Sequence, residues 1–286
     1  MPRPFRFGVS LLTPASAAEW RTKCRRAEEL GYDVLLVPDH LGMPAPFPAL
    51  VAAAGATERL GLGTFVLNAG FWNPVLLARE VATTAALTGG RLEVGLGTGY
   101  VQAEHERAGL PFGSPRERVD QLRSTVEELL KADGPRVPLL IGGNGDRMLR
   151  LAAEHADIAA FAGARLTPGS TEGRLEPVTA RDLDEQVSRY AELASGRGEP
   201  AERNLLIQIV AVTDDPRSAL GPLLERRPEL SLARALALPT VLVGTLEEVT
   251  GRVRGLRERY GFSYLTVLEP YMEAFAPVLA GLAGDR

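Results

Sequence analysis

Arg91-Leu92-Glu93-Val94-Gly95-Leu96-Gly97-Thr98-Gly99-Tyr100 reads as a short buried strand running straight into a glycine turn. Leu92 to Leu96 is apolar except for Glu93, and Gly97-Thr98-Gly99 follows at once. Glycines just past a strand let the backbone turn tightly and come close to a ligand, because no Cβ stands in the way. Upstream, Gly61 to Val66 is a second strand of the same kind. It leads through Leu67 into Asn68-Ala69-Gly70-Phe71-Trp72-Asn73-Pro74. Both strands end in glycine, asparagine, threonine and aromatic residues. Those ends share one rim, and that rim is the expected site.

Outward from this pair the same rhythm repeats. Toward the N-terminus, Phe5 to Leu12 alternates as a strand. Ala15 to Leu30 has helical spacing, with Trp20, Cys24, Ala27 and Leu30 on one face, a Ser16/Glu19 capping box, and Gly31 as the stop. Val34 to Val37 is a buried strand ending at Pro38-Asp39-His40, and Pro48 to Glu58 is a helix. Toward the C-terminus, helices at Pro74 to Leu87, Pro115 to Lys131 and Asp146 to His155 alternate with strands at Val137 to Ile141 and Ile158 to Phe161. Pro74 suits a first helical turn. Gly163 to Thr179, rich in Gly, Pro, Ser and Thr, reads as a long loop on the same rim. Helix Arg181 to Ser195, strand Leu205 to Val212, a helical stretch Pro216 to Leu238 broken at Pro222 and Pro228, helix Thr245 to Tyr260 with Glu248 completing a cap, strand Tyr264 to Leu268 and helix Pro270 to Leu282 finish the chain. Strands that alternate with helices eight times imply parallel pairing through helical crossovers. The expected fold class is α/β, a closed (β/α)8 TIM barrel forming a single domain over 1–286. An open doubly wound sheet is the alternative, and in both folds ligands bind at the carboxyl ends of the strands.

With 286 residues, 45% hydrophobic and 24% charged, the chain can bury a large core. A net charge of −4 with mixed signs offers no basic block for nucleic acid. The one cysteine, Cys24, permits neither an internal disulfide nor a thiolate metal site. Neither a leader peptide nor an apolar run of about 20 residues is evident, which points to the cytoplasm and away from a membrane.

On the rim, Gly142-Gly143-Asn144-Gly145-Asp146-Arg147 lies between a strand and a helix. Exposed backbone N–H groups there make an anion site, to which Arg147 could add a bidentate contact; a tight turn without a ligand is the other reading. His40 at a strand end suits proton transfer near neutral pH, or is held by Asp39 for structure alone. His105, within Glu104-His105-Glu106-Arg107, reads as solvated, and His155 as a helix-end cation. Three scattered histidines make no metal site. Phe71, Trp72 and Tyr100 are candidates to flank a planar ligand or to pack as core. Glu93 reads as a buried carboxylate paired with an arginine. No Gly-x-Ser-x-Gly appears, and no Gly-x-Gly-x-x-Gly opens the first helix.

These residues resemble the bacterial luciferase-like monooxygenase superfamily, and within it the coenzyme F420-dependent oxidoreductases. The matching pieces are Phe7-Gly8-Val9, Val37-Pro38-Asp39-His40-Leu41, Gly61 to Leu67, Asn73-Pro74, Ala78 to Ala82, Gly89 to Gly99, Ile141-Gly142-Gly143, Val243-Gly244-Thr245 to Glu248, and Tyr264 to Val267. The resemblance implies a flavin or deazaflavin at the barrel mouth, with a non-proline cis peptide at Phe65-Val66 supporting the ring and Asp39 near its polar edge. His40 matches an active-site histidine. Thr98, Gly99, Gly142 and Gly143 would take the ribityl and phosphate part. The full expected cofactor set is Asp39, Phe65, Val66, Asn68, Thr98, Gly99, Tyr100, Gly142, Gly143, Asn144 and Arg147, with no metal. Sugar-phosphate dehydrogenases of the family carry a catalytic glutamate where this chain has Tyr100, and an asparagine near Ala103 is also missing. The segment between Lys131 and Val137 is short for the family.

The resemblance therefore implies hydride transfer between coenzyme F420 and a small organic substrate, with His40 as proton donor or acceptor. An FMN-dependent monooxygenase is the alternative, and a barrel that binds a ligand without catalysis is a third. Relatives are often dimers, so a homodimer is one expected assembly. The 163–179 segment is expected to line the substrate pocket.

Overall fold

The computed structural model describes residues 3–132, 136–167 and 169–285. Among them, eight parallel strands close into a barrel ringed by helices. In chain order the strands are Arg6–Ser10, Val34–Val37, Gly61–Thr64 continued by Leu67–Asn68, Leu92–Gly97, Leu139–Gly142, Ile158–Phe161, Glu202–Ile207 and Phe262–Leu268. The seam closes where the first strand pairs with the last, from Arg6 opposite Tyr264 to Ser10 opposite Leu268. Alternation then sorts the side chains. Val34, Leu36, Leu140, Ile158, Ala160 and Tyr264 fill the barrel interior. Their neighbours Leu35, Val37, Leu62 and Ile141 join the core between barrel and helices.

The third strand is interrupted. Gly63 pairs with Glu93, but the next pair on this edge is Leu67 with Leu96, so four steps on one strand oppose three on the other. This one-residue bulge contains a cis peptide at Phe65-Val66, as expected. Thr64 Oγ1 fills the broken ladder: it accepts from Gly95 N–H at 2.8 Å and donates to Gly95 O at 2.9 Å. A Cβ on Gly95 would collide with the Thr64 carbonyl. The glycine thus lets the bulge lie flat on its neighbour, and the bulge sets Phe65 and Val66 on top of the interior layer.

The amino-terminal end of the barrel holds a polar group. Arg6 Nη2 lies 2.7 Å from Glu93 Oε2, and Tyr264 donates its hydroxyl to Glu93 Oε1 at 2.8 Å. Glu93 is 5% exposed. It is therefore the buried, arginine-paired carboxylate expected. Burial opposes the Arg6 charge, but Glu93, Tyr264 and Glu202 outweigh it and raise the guanidinium's pKa. Burial, then Glu93, pushes the Tyr264 phenol far up, so it remains a donor.

Several boundaries differ from the sequence reading. The apolar run Leu205 to Val212 is two strands: the barrel strand ends at Ile207, and Ile209–Val212 leaves to pair in parallel with Val241–Gly244. Pro216 to Leu238 divides into short helices Pro216–Ala219, Gly221–Arg226 and Leu232–Leu236. The 163–179 segment is no open loop, since Ala164–Leu166 and Leu175–Pro177 pair as an antiparallel hairpin. Helix Gln102–Ala108, ended by left-handed Gly109, was unforeseen. The terminal helix is Met272–Gly281, after a 3-10 turn at Glu269–Tyr271. The shortened segment after Lys131 includes 133–135, outside the described residues. No described helix is long and apolar enough to cross a membrane.

Candidate active site at the carboxyl rim

The ends of the second, third, fourth and fifth strands bring the expected residues onto one rim. Asp39 is half-buried just past the second strand. Its Oδ2 accepts from the Asn68 N–H at 3.2 Å and from Trp72 Nε1 at 2.9 Å. Burial pushes this carboxyl above its usual range, against the lowering effect of those two donors. Trp72 thus anchors Asp39, its ring edge-on to Phe47 at 5.4 Å.

Asp39 does not hold His40. The His40 Nδ1 lies 3.0 Å from each oxygen of Glu104, on the unforeseen helix Gln102–Ala108. The same carboxylate accepts the Leu41 N–H at 3.2 Å. Tyr100 meets the imidazole edge-on, ring centroids 5.6 Å apart and planes at 79°. Burial and then Glu104 push the Tyr100 phenol upward. Glu104 was missed because its neighbours are charged. The signals available were Gly109 as a helix stop and the Gln102/Glu106 spacing, whose side chains pair at 2.8 Å.

His105 corrects the expectation of a solvated residue: it is 1% exposed. Its Nδ1 lies 3.0 Å from the Pro111 carbonyl, which can only accept, so Nδ1 carries the hydrogen. Nε2 then accepts from Asn68 Nδ2 at 2.9 Å. Phe71 and Phe112 flank the ring at 5.0 and 5.1 Å, which gives Phe71 a packing role. Asn68 Oδ1 in turn accepts from Gly70 N–H. Asn68 is thereby locked beneath Gly99, where a Cβ would run into its side-chain amide.

Thr98, Gly99 and Tyr100 are all half-buried, as are Gly142, Gly143 and Asn144. Asn144 donates from Nδ2 to the Ala164 carbonyl, while its Oδ1 is buried without a partner among the described residues. Phe65 and Val66 form a half-buried apolar shelf between these turns. An apolar shelf, glycine turns with close backbone approach and an orphaned amide oxygen fit a planar ring with a polar tail. Arg147 is not brought in: it is exposed and pairs with Asp120 at 2.6 Å. His155 sits at a helix end, 3.8 Å from Glu154. Among the described residues no cluster of His, Cys, Asp and Glu could hold a metal ion.

The 163–179 segment reaches this rim. The Ala103 N–H donates to Thr171 O at 3.2 Å, and Gly173 packs so closely on Tyr100 and Val101 that a Cβ would lie 2.6–2.8 Å from their side chains. Pro168 within the segment lies outside the described residues.

Comparison with known proteins agrees with this geometry. Residues 3–264 match the model of a family described as luciferase-like monooxygenase. An F420-dependent glucose-6-phosphate dehydrogenase of Kribbella flavida is 33% identical over 219 residues, 68% of this chain and 65% of that protein. A 5,10-methylenetetrahydromethanopterin reductase of Archaeoglobus fulgidus is 29% identical over 171 residues, 53% of this chain and 51% of that one. The chain thus spans less than two thirds of either relative. A solved F420-dependent secondary alcohol dehydrogenase, in complex with an F420-acetone adduct, superposes with a TM-score of 0.78, covering 98% of this chain and 99% of the other at 16% identity.

Proposed function

The chain belongs to the luciferase-like monooxygenase family, and from that premise we propose that it is an oxidoreductase that moves a hydride between coenzyme F420 and a small organic substrate. The observation that supports this reading is that His40, just past the second strand and against Glu104 and Tyr100, shares its rim with the Phe65-Val66 shelf and the glycine turns of the fourth and fifth strands. The F420-dependent dehydrogenase among the relatives favours the deazaflavin over FMN. Tyr100, standing where the sugar-phosphate enzymes carry glutamate, argues for a different substrate from theirs.

The deazaflavin, when bound, supplies the hydride donor or acceptor. Phe65 and Val66 would support its ring, with Asp39 and Asn68 near the polar edge. Thr98, Gly99, Gly142, Gly143 and Asn144 would hold the ribityl and phosphate part through backbone N–H groups and the Asn144 amide. Tyr100 would close the site beside His40. His40 takes the proton when a substrate hydroxyl is oxidised and returns it in the reverse direction, through Nε2, since Nδ1 faces Glu104.

Titrating the purified protein with F420 and with FMN, followed by fluorescence, tests the reading. Tighter F420 binding is expected, and turnover in His40→Ala should fall by about 10²–10⁴-fold with cofactor affinity retained. Preference for FMN would move the protein to the monooxygenase branch. Binding of neither would leave a non-catalytic barrel. The proposal includes a homodimer in the cytoplasm, the assembly to be read by light scattering.

A further inference from the structure

The geometry points to Glu104 as the positioning residue that fixes the tautomer and orientation of His40. This inference rests on the reading of His40 as the proton carrier. Three observations support it. First, both carboxylate oxygens of Glu104 lie 3.0 Å from Nδ1. A carboxylate only accepts, so Nδ1 carries the hydrogen, and in the neutral ring the lone pair is then on Nε2. Among the described residues no protein group is hydrogen-bonded to Nε2, and a quarter of the side chain is exposed.

Second, Glu104 is itself held. It accepts the Leu41 N–H, so its carboxylate is tied to the backbone just after His40 and moves with it. Its side chain is 16% exposed, well sheltered for a glutamate on a short helix. The helix is clamped from the hairpin side by the Ala103 N–H to Thr171 O bond. Third, Tyr100 borders the imidazole edge-on and leaves Glu104 as the carboxylate in hydrogen-bond contact with the ring.

When Nε2 takes a proton from a substrate hydroxyl, the imidazolium so formed keeps its Nδ1–H on Glu104. When it gives the proton back, the same bond holds the ring in register. A histidine ring free to flip would present Nε2 and Nδ1 by turns. Such second-partner carboxylates commonly change function by about 10–100-fold when removed.

The test is made on the whole chain, without cofactor, by ¹⁵N NMR of labelled histidine at a pH where the imidazoles are neutral. Only three histidines are present, His40, His105 and His155, so the signals can be separated. In the wild type, His40 should show the Nδ1–H form. In Glu104→Ala it should revert toward the Nε2–H form that free side chains favour in water, while His105, held by Pro111 and Asn68, keeps its signal. Glu104→Gln should retain the Nδ1–H form, because the amide oxygen held by the Leu41 N–H still accepts. With cofactor and substrate, Glu104→Ala should lose about 10–100-fold in kcat with little change in KM, and Glu104→Gln should recover part of it. An unchanged His40 spectrum in Glu104→Ala, with CD showing a folded protein, would overturn the inference. So would a kcat equal to the wild type. If the wild type transfers no hydride with either cofactor, the functional proposal fails, yet the spectra still decide the role of Glu104.

Discussion

Asn68 Nδ2 donates to His105 Nε2 at 2.9 Å, and this bond ties the bulged third strand to the helix that follows the glycine turn. Asn68 is held at three points here: its N–H donates to Asp39, its Oδ1 accepts from Gly70 N–H, and its Nδ2 donates to His105. His105→Leu would fill the space but strand the Asn68 amide and the Pro111 carbonyl. Loss of a buried partner costs about 1–3 kcal/mol. Urea denaturation should show a loss of that size, and the F420 titration a weaker affinity, because Asn68 lies under Gly99. An unchanged midpoint would mean that the bond carries no stability.

Gly99 and Gly109 share the same left-handed φ of +68°, yet only one is crowded. Nothing lies within 4 Å of a Cβ at Gly109, whereas at Gly99 a Cβ runs into Asn68. Gly109→Ala should therefore cost about 1 kcal/mol of backbone strain and leave cofactor binding alone. Gly99→Ala carries the same strain and must also push Asn68 aside, so cofactor affinity should fall by at least about tenfold, or ~1.4 kcal/mol. Parallel melts and titrations of the two variants separate the effects. Equal affinities in both would remove Gly99 from the cofactor site.

Glu93 sits at the opposite end of the barrel from the rim. Glu93→Ala leaves Arg6 and the Tyr264 hydroxyl facing each other without their shared acceptor. Removing one partner of a buried ion pair costs about 3–5 kcal/mol. A large drop in the unfolding midpoint is expected, while the fraction that remains folded should bind cofactor like the wild type. A matching loss of cofactor affinity would show that the floor of the barrel communicates with its mouth.

The alternation of strand and helix was legible because 2- and 3.6-residue periods survive in the apolar pattern. Pro74–Leu87, Pro115–Lys131, Asp146–His155 and Ile158–Phe161 lie where the pattern puts them. The rim was legible through glycine, since Gly97 and Gly99 stand where a Cβ has no room. Long-range pairing was not. Leu205 to Val212 is equally apolar whether it forms one strand or two, and only the partner Val241–Gly244 decides where it splits. His105 lies among charged neighbours, of which Glu106 and Arg107 face outward while Glu104 turns toward His40, so the polar composition of this seven-residue helix hides its inward positions. The His40–Glu104 contact joins residues 64 apart, a separation at which a single sequence carries no pairing signal.

Glu269 offers a test of how the barrel seam depends on acid. It follows the last strand and accepts the N–H groups of Leu12 and Thr13, just past the first strand, at 2.6 and 2.8 Å; Lys23 Nζ approaches at 2.5 Å. Burial alone would raise its pKa, but Lys23 and the two N–H donors outweigh burial and hold it below its ordinary value of 4.5. A carboxylate depressed in the folded state contributes stability that is present above its unfolded pKa and is lost as pH falls through the folded one. Glu269→Gln keeps the shape but gives up the charge, so near neutral pH it should be less stable by about 1–3 kcal/mol. Below 4.5 the unfolded chain begins to take up the proton, and as pH falls on through the lower folded value the wild-type carboxyl becomes neutral too and the gap between the two proteins should close. The difference between the pair is the quantity to follow, because Asp285, Glu28 and Glu273 are also held low and contribute to acid unfolding in both. Urea unfolding of the two proteins at several pH values from neutral down to about 3 measures that difference. A gap that stays constant across the range would show that the charge of Glu269 does not stabilise the seam, and that its two N–H contacts act as ordinary neutral hydrogen bonds.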